Sequence, residues 1–470
     1  MKTFGFILLA MLIVTTGCDT PDKGTEELST PDPTTRTNEA MAGKIPYPTW
    51  AKNSTMYELN IRQFTPEGTF QAIVPHLERL AGMGVDIIWL MPVHPISQTK
   101  RKGSLGSYYA VNDFREVNPE FGTLRDLQVL ITSAQNLGMK VIIDWVPHHT
   151  GWDHSWIKEH PEWYSKDSIG NIIDPINEEE GKPWGWTDVA ELDLSNQDMR
   201  NEMISDMAYW LETTSIDGFR VDHAHGLPDD YWDQVSASLA RLNRPIFMLA
   251  EGEEPRLRNR KNFQATYAWR FHEAMNKIAE GEKTVNELDS ILTEDRELYD
   301  YGFHLYFTSN HDENSWNGTV MERMGNGHKT FAVLAATIDG MPLIYSGQEE
   351  PITKRLEFFE KDPIKWKAYA YAPFYKDLSK LRKRNKALWA GDDGGLSVRI
   401  NTSDYVYAFK REKDDNKIVV LLNLSDKEQT TTLSEDVERM RNVFGEGSKG
   451  YKAGKEVVLK PWEYIVLSNR

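Results

Sequence analysis

The chain has 470 residues, 40% hydrophobic, 27% charged and 11% aromatic, with Gly 32 and Pro 22. That balance excludes collagen-like, low-complexity and wholly disordered chains, and at roughly 150 residues per domain the length suits about three domains or one large barrel with additions. Lys+Arg 54 against Asp+Glu 71 leaves a net charge of −17, which disfavours nucleic acid or anionic lipid as partner, while a single cysteine, Cys18, excludes a disulfide framework and any thiolate metal cluster.

Met1-Lys2-Thr3 is a positive start, Phe4 to Val14 an apolar run too short for a permanent membrane helix, and Thr15-Thr16-Gly17-Cys18 follows. This resembles a bacterial lipoprotein signal (residues 1–18), in which cleavage before the cysteine frees its thiol to carry lipid. Thr15 departs from the usual leucine, and the alternative is an ordinary secretory signal with a stray cysteine. Residues 19–45 hold few large apolar side chains and read as a flexible tether.

From residue 46 to 390, short β-branched runs alternate with amphipathic stretches, the pattern of parallel strands covered by helices. Strands are expected at Met56 to Asn60, Asp86 to Val93, Val141 to Val146, Gly218 to Asp222, Ile246 to Glu251, a weaker one near Ala265 to Trp269, Leu305 to His311 and Pro342 to Gly347. Helical periodicity runs through Phe70 to Met83, Leu124 to Leu137, Asn201 to Thr213 and Tyr231 to Leu242. Eight strand-helix units make an α/β fold, a closed (β/α)8 barrel. Residues 150–195, between the third and fourth strands, exceed ordinary loop length and form an expected inserted subdomain. It carries Trp152, Trp156, Trp163, Trp184 and Trp186, which suit either sugar stacking or a small core. Residues 391–470 alternate with period two, predicting an antiparallel β-sandwich.

In such a barrel the active site lies where the strands finish, so polar residues closing apolar strands are the candidates. The third strand ends in Asp144, His148 and His149, the fourth in Arg220, Asp222 and His225, the fifth in Glu251, and the seventh in His311 and Asp312. Arg220 and Asp222 share one side of their strand by the period of two. A rival reading makes His148, His149, Asp153 and His154 a zinc or iron site, although adjacent histidines on a strand point to opposite faces and no HExxH motif is present.

The segments Asp144 to His149, Gly218 to Asp222, Glu251 and Asn310-His311-Asp312, in that order, resemble the four signature regions of the α-amylase family of glycoside hydrolases. The likeness extends to SYYAVNDFREVNPEFGT around Tyr109 and Asp113, to the insert and to the C-terminal sandwich, and the export signal adds a resemblance to lipid-anchored bacterial amylases that degrade starch. The resemblance implies a retaining hydrolase of α-glucosidic, foremost α-1,4, bonds. Asp222 is then the nucleophile, Glu251 the general acid and base with a raised pKa, and Asp312 the third carboxylate. Tyr109, His149, Arg220, His225 and His311 would bind substrate, with Asp144 in support. The expected partner is an α-glucan, with no nucleic acid and membrane contact only through lipid on Cys18 at the outer membrane or cell surface. An α-1,6-acting or glycosyl-transferring member and a non-catalytic sugar-binding relative are the alternatives within the family.

No cofactor is expected. Many members hold calcium through an asparagine before the histidine matching His149 and a histidine four residues after the nucleophile; here His148 and Gly226 stand in those places. A hard cation selects oxygen, so the calcium site should be weak or absent. A protonated His148 could replace its charge by pairing with an acidic residue of the insert, or a neutral ring could serve as a hydrogen-bond bridge.

Overall fold

Eight short runs of alternating residues assemble by burying one set of side chains inside a ring and the other beneath helices. The computed structural model describes residues 43–177 and 180–470. Its strands β1 (Met56–Leu59), β2 (Ile87–Leu90), β3 (Lys140–Trp145), β4 (Gly218–Val221), β5 (Phe247–Ala250), β6 (Ala265–Tyr267), β7 (Phe303–Tyr306) and β8 (Gly340–Tyr345) close in sequential order into a parallel barrel. Met56, Ile87, Trp89, Ile142, Phe247, Leu249, Leu305 and Met341 fill the interior. Tyr57, Ile88, Val141, Ile143, Phe219, Val221, Met248 and Ile344 face outward into the helix layer. Each strand thus shows the period of two.

Helices Leu124–Asn136, Gln197–Thr214 and Asp229–Leu239 lie in the expected stretches. The continuous helix expected over Phe70 to Met83 is instead two, Phe70–Ile73 and Leu77–Met83, joined by a tighter turn at Val74–His76. Pro75 lacks the N–H that an unbroken helix would use, and its ring crowds the preceding turn. The tether was expected to run through residue 45, yet Ile45 is buried and Lys44 Nζ donates to Asp233 Oδ1 (2.9 Å) and Asn262 Oδ1 (2.8 Å). One apolar side chain beside a paired cation suffices to fix this stretch. The signal segment, Cys18 and the tether to residue 42 lie outside the described residues.

After the barrel come β9 (Val398–Arg399), β10 (Val406–Lys413), β11 (Asn416–Asn423), β12 (Gln429–Thr432), β13 (Val437–Asn442), β14 (Ser448–Tyr451), β15 (Glu456–Leu459) and β16 (Tyr464–Ser468). Six form a sheet in the order β9-β10-β11-β16-β13-β14, and β12 pairs with β15. Val406, Ala408, Val419 and Leu421 pack with Val457 and Leu459 of the smaller sheet, while Tyr407, Phe409, Val420 and Leu422 join the main core on the other face.

Candidate active site

Alternation brings Asp144, Arg220, Asp222 and Glu251 to the inner side of the barrel at the ends of β3, β4 and β5. Arg220 is fully buried; its Nη1 donates to Asp144 Oδ1 (2.9 Å) and Asp222 Oδ1 (2.8 Å), and its Nη2 lies 2.8 Å from Glu251 Oε1. A buried guanidinium without partners would be costly, whereas three carboxylates surround this one. Burial opposes its charge, but Asp144 and Glu251 hold it protonated. The Asp222 and Glu251 side chains are 14% and 15% exposed, enough to meet a substrate from above.

Burial pushes the Glu251 carboxyl above the ordinary range, with the charges of Asp222 and Asp312 adding to the shift and Arg220 opposing it. The backbone N–H of His223 donates to Glu251 Oε2 (2.7 Å) and fixes the carboxyl's direction. Asp312 differs: burial works against its charge, but His311 and Arg220 hold it below the usual value. His311 lies between two carboxylates, Nδ1 2.5 Å from Glu58 Oε1 and Nε2 3.3 Å from Asp312 Oδ2. Burial disfavours the imidazolium, yet Asp312 and Glu58 raise its pKa well above normal. Its Nε2 also reaches Tyr109 Oη at 2.8 Å, and Tyr109 Oη donates to Asp144 Oδ2 (3.1 Å).

These groups open into a cavity of about 600 Å³ lined by Tyr109, His149, Asp222, His225, Glu251, His311 and Asp312, with Asp144 and Arg220 buried beneath. Its volume suits a small-molecule or oligomer site. The rim is aromatic. Trp184 and Trp186 stack at 5.4 Å and 12°, and Trp269, Trp316, Phe358 and Phe359 complete the lining. Flat apolar faces combined with convergent carboxylates suit a sugar ring, which presents C–H faces and hydroxyl edges.

The alpha amylase catalytic-domain family matches residues 36–442. The chain belongs to the alpha-amylase family. Alpha-amylase MalA of Haloarcula japonica is 26% identical over 446 residues, covering 88% of this chain and 62% of that protein. Alpha-1,4-glucan:maltose-1-phosphate maltosyltransferase 1 of Streptomyces coelicolor is 27% identical, covering 80% and 58%. The chain therefore spans about three fifths of the length of these two relatives. Among solved structures, a noncanonic maltogenic alpha-amylase AmyB from Thermotoga neapolitana superposes with a TM-score of 0.79 at 26% identity, over 89% of this chain and 99% of that one.

For this alpha-amylase-family chain one expectation needs correction, and the structure bears on two readings left open. His148 and His149 do not point apart: their Nδ1 atoms approach to 3.4 Å, because β3 ends at Trp145 and Pro147 turns the chain before strand alternation can apply. The rival metal cluster does not converge. Asp153 Oδ2 accepts from the Gln98 and Thr99 backbones, His154 Nδ1 accepts from Trp156 N, and the described residues contain no group of three or more His, Cys, Asp or Glu able to hold a metal. The charged form of His148 is disfavoured. Burial, with His149, His223 and His225 adding, drives its pKa well below normal, and no carboxylate pairs with it among the described residues.

The place where calcium is common in the family is filled by rings. A Cβ on Gly226 would meet His223 Nε2 at 2.5 Å, and the His148 and His223 rings pack at 4.7 Å. Imidazole nitrogens do not suit a cation that takes six to eight oxygens. Treatment with chelator is expected to leave melting temperature and activity unchanged; activity lost in chelator and restored by calcium but not magnesium would refute this.

The five insert tryptophans divide between the two roles. Trp156 and Trp163 are buried against each other at 4.9 Å, Trp152 lies under Lys100, and Trp184 and Trp186 face the cavity. Sequence reasoning missed Glu58, whose inward direction follows from Met56 two residues earlier on β1. It also missed Trp269, the first residue of the helix Trp269–Ala279, Trp316, in the short helical turn Glu313–Asn317, and Phe358 and Phe359 on a loop, all positions where no strand period marks an inward side chain.

Proposed function

We propose that the chain is a retaining glycosidase acting on α-1,4-glucosidic bonds of starch-like glucans or maltooligosaccharides. The observation that carries this reading is the single guanidinium of Arg220 gripping both Asp222 and Glu251 at the floor of an aromatic-walled cavity. Asp222, kept beside a cation, is the nucleophile that attacks the anomeric carbon. Glu251, protonated through its raised pKa, gives its proton to the departing oxygen and later takes one from the incoming water. Asp312, held ionised by His311, accepts hydroxyl hydrogen bonds and faces the cationic ring of the transition state. Tyr109 supplies a flat floor, its ring parallel to those of His311 (24°) and Phe358 (11°), and His149 and His225 complete the polar edge.

Glycosyl transfer is the second reading, favoured by the likeness to a maltosyltransferase; the two share one covalent intermediate and differ in whether water or a sugar hydroxyl arrives. Incubation with starch, pullulan, maltooligosaccharides, sucrose and trehalose, followed by product identification, tests both. Release of shortened maltooligosaccharides supports hydrolysis, products longer than the substrate support transfer, and inertness toward all five contradicts the proposal.

The export reading is also proposed, resting on the apolar run before Cys18. Lipid on Cys18 would hold the enzyme at the bacterial outer membrane or cell surface, since one cysteine modification adds acyl chains that water excludes. Among the described residues no helix is long and apolar enough to cross a membrane. Cys18→Ser in the native host is expected to move active enzyme from membrane to soluble fraction; wild-type enzyme already soluble would contradict the anchor.

A further inference from the structure

The rim of the cavity is bonded into a continuous wall on one side. Residues 97–107, which follow β2 and place Lys102 and Ser107 in the lining, are fastened at both flanks. Toward the insert, Lys102 Nζ pairs with Asp188 (2.9 Å) and donates to Gly185 O (3.1 Å), while Asp153 accepts from Thr99 N (2.9 Å) and Lys100 Nζ sits 3.3 Å from the centre of the Trp152 ring. Toward the loop after β8, Ser104 N donates to Glu360 Oε1 (2.7 Å) and Leu105 N to Phe359 O (3.0 Å). Buried Arg62 holds the same stretch from below through Gly106 O (3.0 Å) and Leu105 O (3.1 Å). Gly103, at φ +62°, sits so close that a Cβ would lie 2.5 Å from Phe359 Cβ.

The wall continues past the loop after β8. Leu356 N donates to Asn314 Oδ1 (2.9 Å), Ser315 Oγ donates to Leu356 O (3.0 Å), and the Trp316 ring packs on Phe358 at 5.2 Å. The loops after β7, β8 and β2 and the insert are therefore joined beside Tyr109. Glu251 has His223, His225 and Trp269 about it, with Trp184 and Trp186 of the insert packed on His223 at 6.1 and 5.5 Å. A general acid must reach the glycosidic oxygen, so the leaving portion of the chain departs past Glu251 and the glycone lies over Asp222 and Tyr109, facing the wall.

We propose that this bonded wall, with the Lys102–Asp188 link at its centre, ends the glycone side of the cavity, so that the enzyme works from non-reducing chain ends and releases short products. The inference rests on the α-glucosidic reading above. An α-glucan lying in the cavity has its non-reducing end on the glycone side, and a polymer threading through would have to pass where residues 102 to 105 are tied down. A free end fits without passing.

The experiment compares an aryl maltoheptaoside with a free non-reducing end against the same compound capped there by a 4,6-O-ethylidene group, following substrate loss by chromatography. The capped compound is expected to react at least 100-fold more slowly. Equal turnover of both overturns the inference while leaving the glycosidase reading intact, and failure to cut either one overturns that reading and this inference with it. Lys102→Ala, checked for an unchanged melting temperature, is expected to raise the ratio of capped to free turnover at least tenfold. An unchanged ratio in that variant overturns the assignment of the closure to this segment.

Discussion

Replacing Asp222 by Asn is expected to lower kcat/KM by at least about 10⁴, the scale on which loss of an activated nucleophile acts. The amide keeps the size and one acceptor for Arg220 Nη1, and the guanidinium retains Asp144 and Glu251, so the melting curve should change little. Glu251→Gln is expected to cost about 10²–10⁴ on a natural glucan and much less on an α-glucosyl fluoride, whose leaving group needs no proton in the first step. The pH profile gives an independent sign. Because burial raises the Glu251 pKa, the acid stays protonated above the ordinary glutamic range, and kcat/KM should fall on the alkaline limb as it ionises. Glu251→Gln should remove that limb. The first product should carry the α configuration, as two displacements through carboxyl groups about 5–5.5 Å apart require. Release of the β-anomer first would overturn the assignment of Asp222.

The barrel was legible because its strands carry a dense local signal. Even β6, the weakest expectation, appears at Ala265–Tyr267, since its alternating residues pair with neighbours on both edges. The site was legible where catalysis rides on that alternation: Arg220 and Asp222 share a face because they are two apart on one strand. Reasoning failed where the chain leaves the strand. His148 follows β3 after a proline, so its ring turns toward His149 and His223 for reasons of packing that no period encodes. The aromatic rim depends on how four separate segments meet, a matter of tertiary contact. Glu58 is a different case, since alternation from Met56 did point it inward. A lone carboxylate in a short apolar strand gave no sign of its partner, which is 253 positions away.

That partner makes Glu58 the position where a change of one atom should be felt most strongly outside the carboxylates of the proposed mechanism. Its Oε1 lies 2.5 Å from His311 Nδ1, and His311 passes the constraint on to Tyr109 Oη and Asp312 through Nε2. Glu58→Gln keeps the shape but removes one of the two negative charges that hold the imidazolium. The amide oxygen can still accept from Nδ1–H, so a charge-assisted hydrogen bond becomes an ordinary one, and stability is expected to fall by about 1 kcal/mol. The sign of the pH dependence follows from the raised His311 pKa. A cation whose pKa is higher folded than unfolded contributes fully below the unfolded value, about 6.5, and that contribution fades as pH rises through the folded value. The melting-temperature gap between wild type and Glu58→Gln should therefore narrow toward alkaline pH, and it should also narrow in acid as Glu58, whose carboxyl burial pushes up, takes a proton. A gap constant with pH would mean that Glu58 acts by packing alone. In the variant, His311 should lose its proton at lower pH, and the neutral ring, left with one N–H, can no longer donate from both Nδ1 and Nε2. Misplacing groups that orient the sugar costs up to about 10² in rate, so kcat should fall by about tenfold to a hundredfold. A kcat unchanged by Glu58→Gln would contradict a role for the Glu58–His311 pair in orienting the sugar.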